Sequence, residues 1–441
     1  MSRHSRRRAD TSGLVQHALT LPREHKHLRR FSAALLGAVL AVGTFAGLAY
    51  ADLQSSLKNA NGVSKLLKDR KPIDSFNGRA INILLIGSDS REGDNQRYGT
   101  DEGTQRSDTT LIAHISADRK KIDVVSIPRD TMVEIPGCSR EDGTETYPGF
   151  GIFNSAFANG GLDGSTNSAV ACTLKTVEHI SGMYIDAFVV TDFTGFSEMI
   201  DALGGVKLYL DEPMQDIDSQ LDLPAGCNTL DGHDALAYAR VRHVGDGSDI
   251  SRIARQQQLL SIMLRTALKK NMFTEMPVLY DFVNAGLKSL VLSPELAGLP
   301  QLSGLAYSLR NIDPENIRFF TPPITNYAPD PNRVVFIEEP TEQIWEYFQG
   351  ETDMLPDGVS VRTGAGRTYT TGTPGDPDYD ATADSTDVAN TDNPADMTGQ
   401  GDMSGQDGIY NQGTTGGQVS VDPNTIPGTA GDAAARAKCE V

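Results

Sequence analysis

The chain has 441 residues, with 39 Lys+Arg against 58 Asp+Glu, a formal net charge of −19, and 39% hydrophobic residues. That composition permits a buried core and excludes a general nucleic-acid binder, which needs basic surface to displace counterions. The charge is uneven: residues 1–30 hold eight bases and two acids, residues 31–50 hold neither, and the remainder holds 31 bases against 56 acids.

Residues 31–50 read FSAALLGAVLAVGTFAGLAY and predict one transmembrane helix. At about 1.5 Å per residue this length matches the roughly 30 Å hydrocarbon layer. The basic tail 1–30 is expected to stay cytoplasmic, which places the rest of the chain outside the cell membrane. A cleaved signal peptide is the rival reading, with Ala49-Tyr50-Ala51 as its small-x-small site, but the apolar run exceeds an ordinary signal core. Residues 51–79 form a polar juxtamembrane stalk. An exported domain meets an oxidising space, so Cys138, Cys172, Cys227 and Cys439 can pair. They allow three complete pairings. Cys138–Cys172 is the favoured disulfide because both flank the same central region, and Cys439, in the tail, is a candidate free thiol.

Short apolar runs at 81–87, 109–116 and 121–127 predict three strands. A helix over 165–181, with Gly182 as its stop, precedes a strand at 187–191, a helix at 192–205 and a strand at 206–210. Helices are expected at 229–240, 250–270, 277–290, 294–310 and 340–349, and strands at 316–321 and 333–337. The alternation predicts one α/β domain over 80–349, a central mixed β-sheet flanked by helices. From 350 to 441 the chain is rich in Gly, Thr, Asp and Pro and poor in large apolar residues, so it is expected to be a disordered acidic tail.

Polar clusters stand at the ends of the predicted elements, where open α/β sheets place ligands. They are Gly87-Ser88-Asp89-Ser90-Arg91, Arg106-Ser107-Asp108-Thr109, Ser126-Ile127-Pro128-Arg129-Asp130, Tyr238-Ala239-Arg240-Val241-Arg242, and Asp246 to Arg252 leading into Gln256. Singly, each reads as a turn or a solvated helix face. Together they put arginines beside Asp, Ser and Gly at element ends in an acidic chain, and the chemistry that fits is phosphoryl recognition. Arginine meets phosphate oxygens with a planar fork, and Asp carboxylates suit Mg²⁺ shared with substrate phosphates. Neither a GxxxxGK[ST] nor a GxGxxG loop occurs, which disfavours an ordinary nucleotide site.

NILLIGSDSR (82–91), RSDTTL (106–111), SIPRDT (126–131), FNSAFANGG (153–161), DFTGFSEMIDALGGV (192–206) and LDGHDALAYARVRHVGDGSDISRIARQQ (230–257) resemble the LytR–CpsA–Psr family. The resemblance is strong over about 80–260, looser over 261–349 and absent from 352–441. It implies a membrane-anchored extracytoplasmic phosphotransferase. Such an enzyme moves a glycopolymer from a polyprenyl-pyrophosphate carrier to peptidoglycan, as a phosphodiester to a muramic-acid 6-hydroxyl. Carried over by position, Asp89 and Asp108 would hold Mg²⁺, with Mn²⁺ as the alternative. Arg106, Arg129, Arg240, Arg242, Arg252 and Gln256 would bind pyrophosphate, Arg91 and Asp249 would support the site, and the lipid would lie in an apolar tunnel between sheet and helices. Asp108, Arg129 and Asp130 are the expected catalytic residues. The general base stays open between Asp130 and a metal-bound hydroxyl. The segment between Asp89 and Asp108 is longer than the family leads one to expect, which makes Asp94 and Asp101 rival ligands. The alternatives are a polyprenyl-pyrophosphate phosphatase, a lipid-glycan binder, or transfer to a surface protein. A membrane-bound transcription regulator is disfavoured, because residues 1–30 show no helix-turn-helix pattern.

Overall fold

The computed structural model describes residues 51–52, 58–59, 62–67, 76, 78–88, 106–241, 244, 249–269, 276–350, 352, 354–374, 376–378 and 439. The chain divides into two compact units, Met1–Ser55 and Ser56–Val441. Of the first, only residues 51–52 are described, as helix. The expected tail 1–30 and anchor 31–50 lie outside the described residues, and among the described ones no helix is long and apolar enough to cross a membrane.

The second unit starts with β1 (Lys58–Asn59) and α1 (Val63–Leu66), followed by the three expected strands β2 (Ile81–Ser88), β3 (Ser107–Ile115) and β4 (Ile122–Ile127). Next come a hairpin of β5 (Met132–Ile135) and β6 (Gly149–Ile152), helices α2 (Ser155–Gly160) and α3 (Thr166–Ser181), strand β7 (Ala187–Thr191) and helix α4 (Phe193–Ala202). Short strands β8 (Val206–Leu210), β9 (Met214–Asp216), β10 (Leu221–Leu223) and β11 (Gly226–Leu230) lead to α5 (Gly232–Arg240), α6 (Asp249–Lys269) and α7 (Met276–Ser289). The chain continues through β12 (Leu290–Leu292), α8 (Leu299–Leu309), β13 (Ile317–Phe320), the hairpin β14 (Ile324–Asn326) and β15 (Val334–Phe336), α9 (Glu338–Gln349), β16 (Ser360–Thr363) and β17 (Thr368–Thr370).

Nine strands make one mixed sheet in the order β1-β12-β7-β2-β3-β4-β13-β16-β17. β7 lies parallel to β2 and β13 parallel to β4, whereas β3 is antiparallel to both neighbours. The α/β class and mixed sheet expected from the sequence are therefore present. Helix limits follow local chemistry. The Ser165 hydroxyl accepts from the Ser168 N–H and starts α3, and Gly182, at φ +65°, takes the left-handed turn that ends it. Asp192 caps α4 and Asp231 caps α5 in the same way.

The sheet is covered on both faces. Leu84, Ile86, Ile112, Phe188 and Val190 join Leu174 and Val177 of α3 and Trp345 and Phe348 of α9 in one core. The alternate residues Leu85, Leu111 and Val189 point the other way, toward α4, α5 and α6 across a cavity. A second core holds Leu208, Leu210, Leu223, Tyr238, Leu259 and Ile262. Burial on both faces explains why β2 and β4 read as near-continuous apolar runs rather than alternating ones.

Two domain limits differ from the sequence expectation. Lys58–Asn59, within the expected stalk, pairs in parallel with Val291 and Leu292 at the sheet edge. The expected disordered tail contains two strands: β16 pairs antiparallel with β13, and β17 with β16. Val359, Val361 and Tyr369 are buried in the main core, a short apolar contribution diluted by the polar composition of the tail as a whole. Cys138–Cys172 forms as expected, with Cα atoms 5.3 Å apart. Cys439 is not free: it bonds to Cys227, 212 residues earlier, a partnership set by how the chain returns to β11.

Candidate functional site

Four element ends meet at one place, the starts of β3 and α6 and the ends of β4 and α5. Asp108 is the second residue of β3. Pro128, which has no N–H for a ladder, ends β4 and turns the chain, with the Thr131 N–H donating to the Pro128 carbonyl at 3.2 Å. Arg129 and Asp130 occupy that turn, pinned where the Asn154 N–H donates to the Arg129 carbonyl at 3.1 Å. From the helical side, α5 delivers Arg240 at its last position before Val241 turns extended. Asp249, Arg252 and Gln256 are spaced along one face of the first turns of α6.

The charged side chains form one connected group. Arg129 donates from Nη1 to Asp108 Oδ1 at 2.6 Å and from Nε to Asp130 Oδ2 at 3.2 Å, and its Nε lies 3.7 Å from Asp249 Oδ1. Arg252 pairs with Asp249. Asp130 also accepts from Arg333 Nη1 at 2.8 Å, so both its oxygens are engaged by guanidiniums. Burial works against the Arg129 charge, yet Asp108, Asp130 and Asp249 outweigh it and raise its pKa above the ordinary arginine value. Burial pushes the Asp249 carboxyl up, against the pull of Arg252 and Arg129. The fork of Arg129 therefore bridges a carboxylate on β3 and one on its own turn, and bidentate holding fixes its plane.

Beside this group lies a cavity of about 390 Å³ between the sheet and α4, α5 and α6. Its wall is apolar, with Leu85, Leu111, Val189, Phe196, Met199 and Leu260 among the lining residues. Asp108, Arg240, Arg252 and Gln256 line it as well, so one enclosed space joins hydrocarbon walls to a cationic, hydrogen-bonding group. Arg240 packs its guanidinium 4.9 Å over the Phe193 ring, a cation–π contact that holds it at the cavity wall. Gln256 reaches back to the Ala239 carbonyl at 3.5 Å.

Of the residues expected from sequence, Asp108, Arg129, Asp130, Asp249 and Arg252 meet in the ion-pair group, and Asp108, Arg240, Arg252 and Gln256 line the cavity. Arg106 is exposed just before β3 and is absent from the cavity lining. Asp89, Arg91, Asp94, Asp101 and Arg242 lie outside the described residues. Sequence reasoning missed Arg333, which sits after a Pro- and Asp-rich turn and looks like any solvated base until its contact with Asp130 is seen. It also missed the lining residues Asp192 and Asp218, the first of which reads only as a helix cap.

A LytR_cpsA_psr family model matches residues 49–348. Among curated relatives, the probable cell wall biosynthesis protein LcpB of Corynebacterium glutamicum is 36% identical over 197 residues, 43% of each chain. The polyisoprenyl-teichoic acid–peptidoglycan teichoic acid transferase TagT of Bacillus subtilis is 28% identical over 301 residues, 64% of this chain and 85% of that one. The match thus spans less than half of LcpB and most of TagT. A crystal structure of B. subtilis TagT is similar at 22% identity with a TM-score of 0.46, covering 65% of this chain and 96% of that one.

Proposed function

The chain belongs to the LytR–CpsA–Psr family, and from that premise we propose that it is an extracytoplasmic phosphotransferase of cell-wall assembly. Its donor is a glycopolymer on a polyprenyl-pyrophosphate carrier, its acceptor is peptidoglycan, and the product is a phosphodiester to a muramic-acid 6-hydroxyl. The observation that carries this reading is the two-part cavity: an apolar wall suited to an isoprenoid chain, opening on Asp108, Arg240, Arg252 and Gln256. A carrier lipid with a pyrophosphate head has the same two chemistries in the same order. The relative named as a polyisoprenyl-teichoic acid–peptidoglycan transferase supports the substrate class.

In this reading Arg240, Arg252 and Gln256 meet the pyrophosphate oxygens while the lipid occupies the apolar space. Arg129, oriented by Asp108 and Asp130, faces charge that spreads over phosphoryl oxygens in the transition state. The acceptor hydroxyl forms an O–P bond to the glycan-side phosphorus, the bridging P–O bond breaks, and in net the hydroxyl proton ends on the departing phosphate, releasing the lipid monophosphate. Asp130, with both oxygens held by guanidiniums, is a positioning group for Arg129. The site suits Mg²⁺, since the half-buried Asp108 carboxylate at the cavity offers the hard oxygen that this ion takes. When bound, the ion would neutralise phosphate charge there. A single-pass anchor at 31–50 would hold the domain at the outer membrane face, where its donor resides.

The test uses the full chain in detergent with a short-chain polyprenyl-pyrophosphate glycan, peptidoglycan oligomers and Mg²⁺, with products read by mass spectrometry. A glycan-phosphate–peptidoglycan adduct that disappears with EDTA or Asp108→Asn is the expected result. Lipid phosphate released without an adduct would identify a phosphatase, and an adduct only on added surface protein would replace the acceptor.

A further inference from the structure

The ion-pair group has a second neighbour, an aromatic pair that is not part of the cavity lining. Phe150 of β6 is 54% exposed. Its ring centroid lies 6.0 Å from that of Tyr327, tilted by 54°. Tyr327 closes the β14–β15 hairpin, its N–H donating to the Arg333 carbonyl at 2.9 Å. The two rings thus come from two hairpins that both meet the site, β5–β6 where β5 begins and β14–β15 at its loop end. Arg333 reaches Asp130 at 2.8 Å, and Thr131 bridges to Val334 while its carbonyl accepts from the Phe153 N–H at 2.8 Å.

Register links the rings to the chemistry. On the β5–β6 ladder, Met132 opposes Ile152 and Glu134 opposes Phe150. These two pairs share one face of the hairpin, because side chains alternate along a strand. Half-buried Met132 and Ile152 therefore form an apolar track from Phe150 back toward the Arg129–Asp130 turn, roughly 13 Å for the four residues from Glu134 to Asp130 at about 3.3 Å each. The Arg333 guanidinium, across the hairpin from Tyr327, borders the platform and ties it to Asp130.

We propose that Phe150 and Tyr327 are the acceptor subsite: they stack the sugar rings of a peptidoglycan glycan strand and present its hydroxyl to the Arg129–Asp130 turn. An amino-sugar ring has an apolar C–H face that lies on an aromatic ring and equatorial polar groups that bond to a bordering donor such as Arg333. Continuity with the ion-pair group sets the occupant. A chain lying on this track reaches the Arg129–Asp130 turn, to which Arg333 ties the β14–β15 hairpin. The proposal rests on the transferase reading above and adds where its acceptor binds.

The probe is a set of fluorescent N-acetylglucosamine–N-acetylmuramic acid chains freed of peptide, titrated with the full chain in detergent and followed by anisotropy. The wild type should bind. Phe150→Ala and Tyr327→Ala should each weaken binding by about tenfold, the scale of one lost aromatic stacking contact. Phe150→Tyr should restore binding where Phe150→Leu does not. Thermal unfolding of each variant checks that it is folded, and the two alanine variants, on different hairpins, test the same platform independently. Wild type that fails to bind, alanine variants that bind equally well, or Phe150→Leu that binds like wild type would each overturn the proposal. Failure of the transferase reading shows separately, as wild type that converts no carrier-linked donor.

Discussion

Arg129→Lys keeps a positive charge at the centre of the site and removes its fork. In the structure Arg129 reaches Asp108 from Nη1 at 2.6 Å and Asp130 from Nε at 3.2 Å, two carboxylates at once from two edges of one plane. A lysine ammonium is a single point on a flexible stem, so it serves one of these well and leaves the other. One lost hydrogen bond to a charged partner is worth about 1.5–3 kcal/mol. At about 1.4 kcal/mol per tenfold, that lowers kcat/KM by roughly 10- to 150-fold. Because the side chain is only partly buried and the charge is retained, the melting temperature should move by no more than a few degrees. The assay is the initial rate of adduct formation over a donor concentration series, with thermal unfolding measured on the same preparations. An Arg129→Lys rate within about twofold of wild type at unchanged stability would refute the argument that the fork orients the transition state.

Other consequences are independent of the transferase assay. Asp123 is fully buried and holds Arg318 through bonds of 2.6 and 3.0 Å. Asp123→Ala should therefore cost about 3–5 kcal/mol in urea unfolding, and Asp123→Leu with Arg318→Met should recover most of it; a double variant no better than the single one would contradict this. Burial, then the adjacent Asp123 carboxylate, raises the Tyr347 pKa above its ordinary value of about 10. The neutral phenol thus contributes stability that is complete below about pH 10 and lost as pH rises beyond it, and Tyr347→Phe should flatten that alkaline decline. The Cys227–Cys439 bond predicts that a peptide carrying Cys439 stays attached to one carrying Cys227 in a non-reducing digest and separates on reduction.

Much of the candidate site was legible in the sequence because arginines and aspartates clustered at element ends are recognisable residue types. Asp108, Arg129, Arg240, Arg252 and Gln256 stand at the ends of elements whose apolar periodicity is plain, and ends of elements are where the structure gathers them. Arg333 was not legible. Its role is a contact with Asp130 across 203 residues, and nothing local distinguishes it from a turn arginine. Phe150 was missed for a related reason: an isolated aromatic between two glycines carries no periodic signal, and its meaning depends on the hairpin that places Tyr327 beside it.

The sequence by itself determined the α/β class, the main strands and helices, and the clustering of Asp and Arg at element ends. These depend on composition, on periods of two and of 3.6 residues, and on capping, all of which act over a few neighbours. Tertiary structure alone decided that Val359, Val361 and Tyr369 of an otherwise polar tail complete the core. It also decided that Cys439 returns to Cys227, and that the apolar wall and the charged group share one cavity. Those outcomes depend on which distant segments become neighbours, and a short apolar stretch or a lone cysteine gains a partner only once folding has brought those segments together.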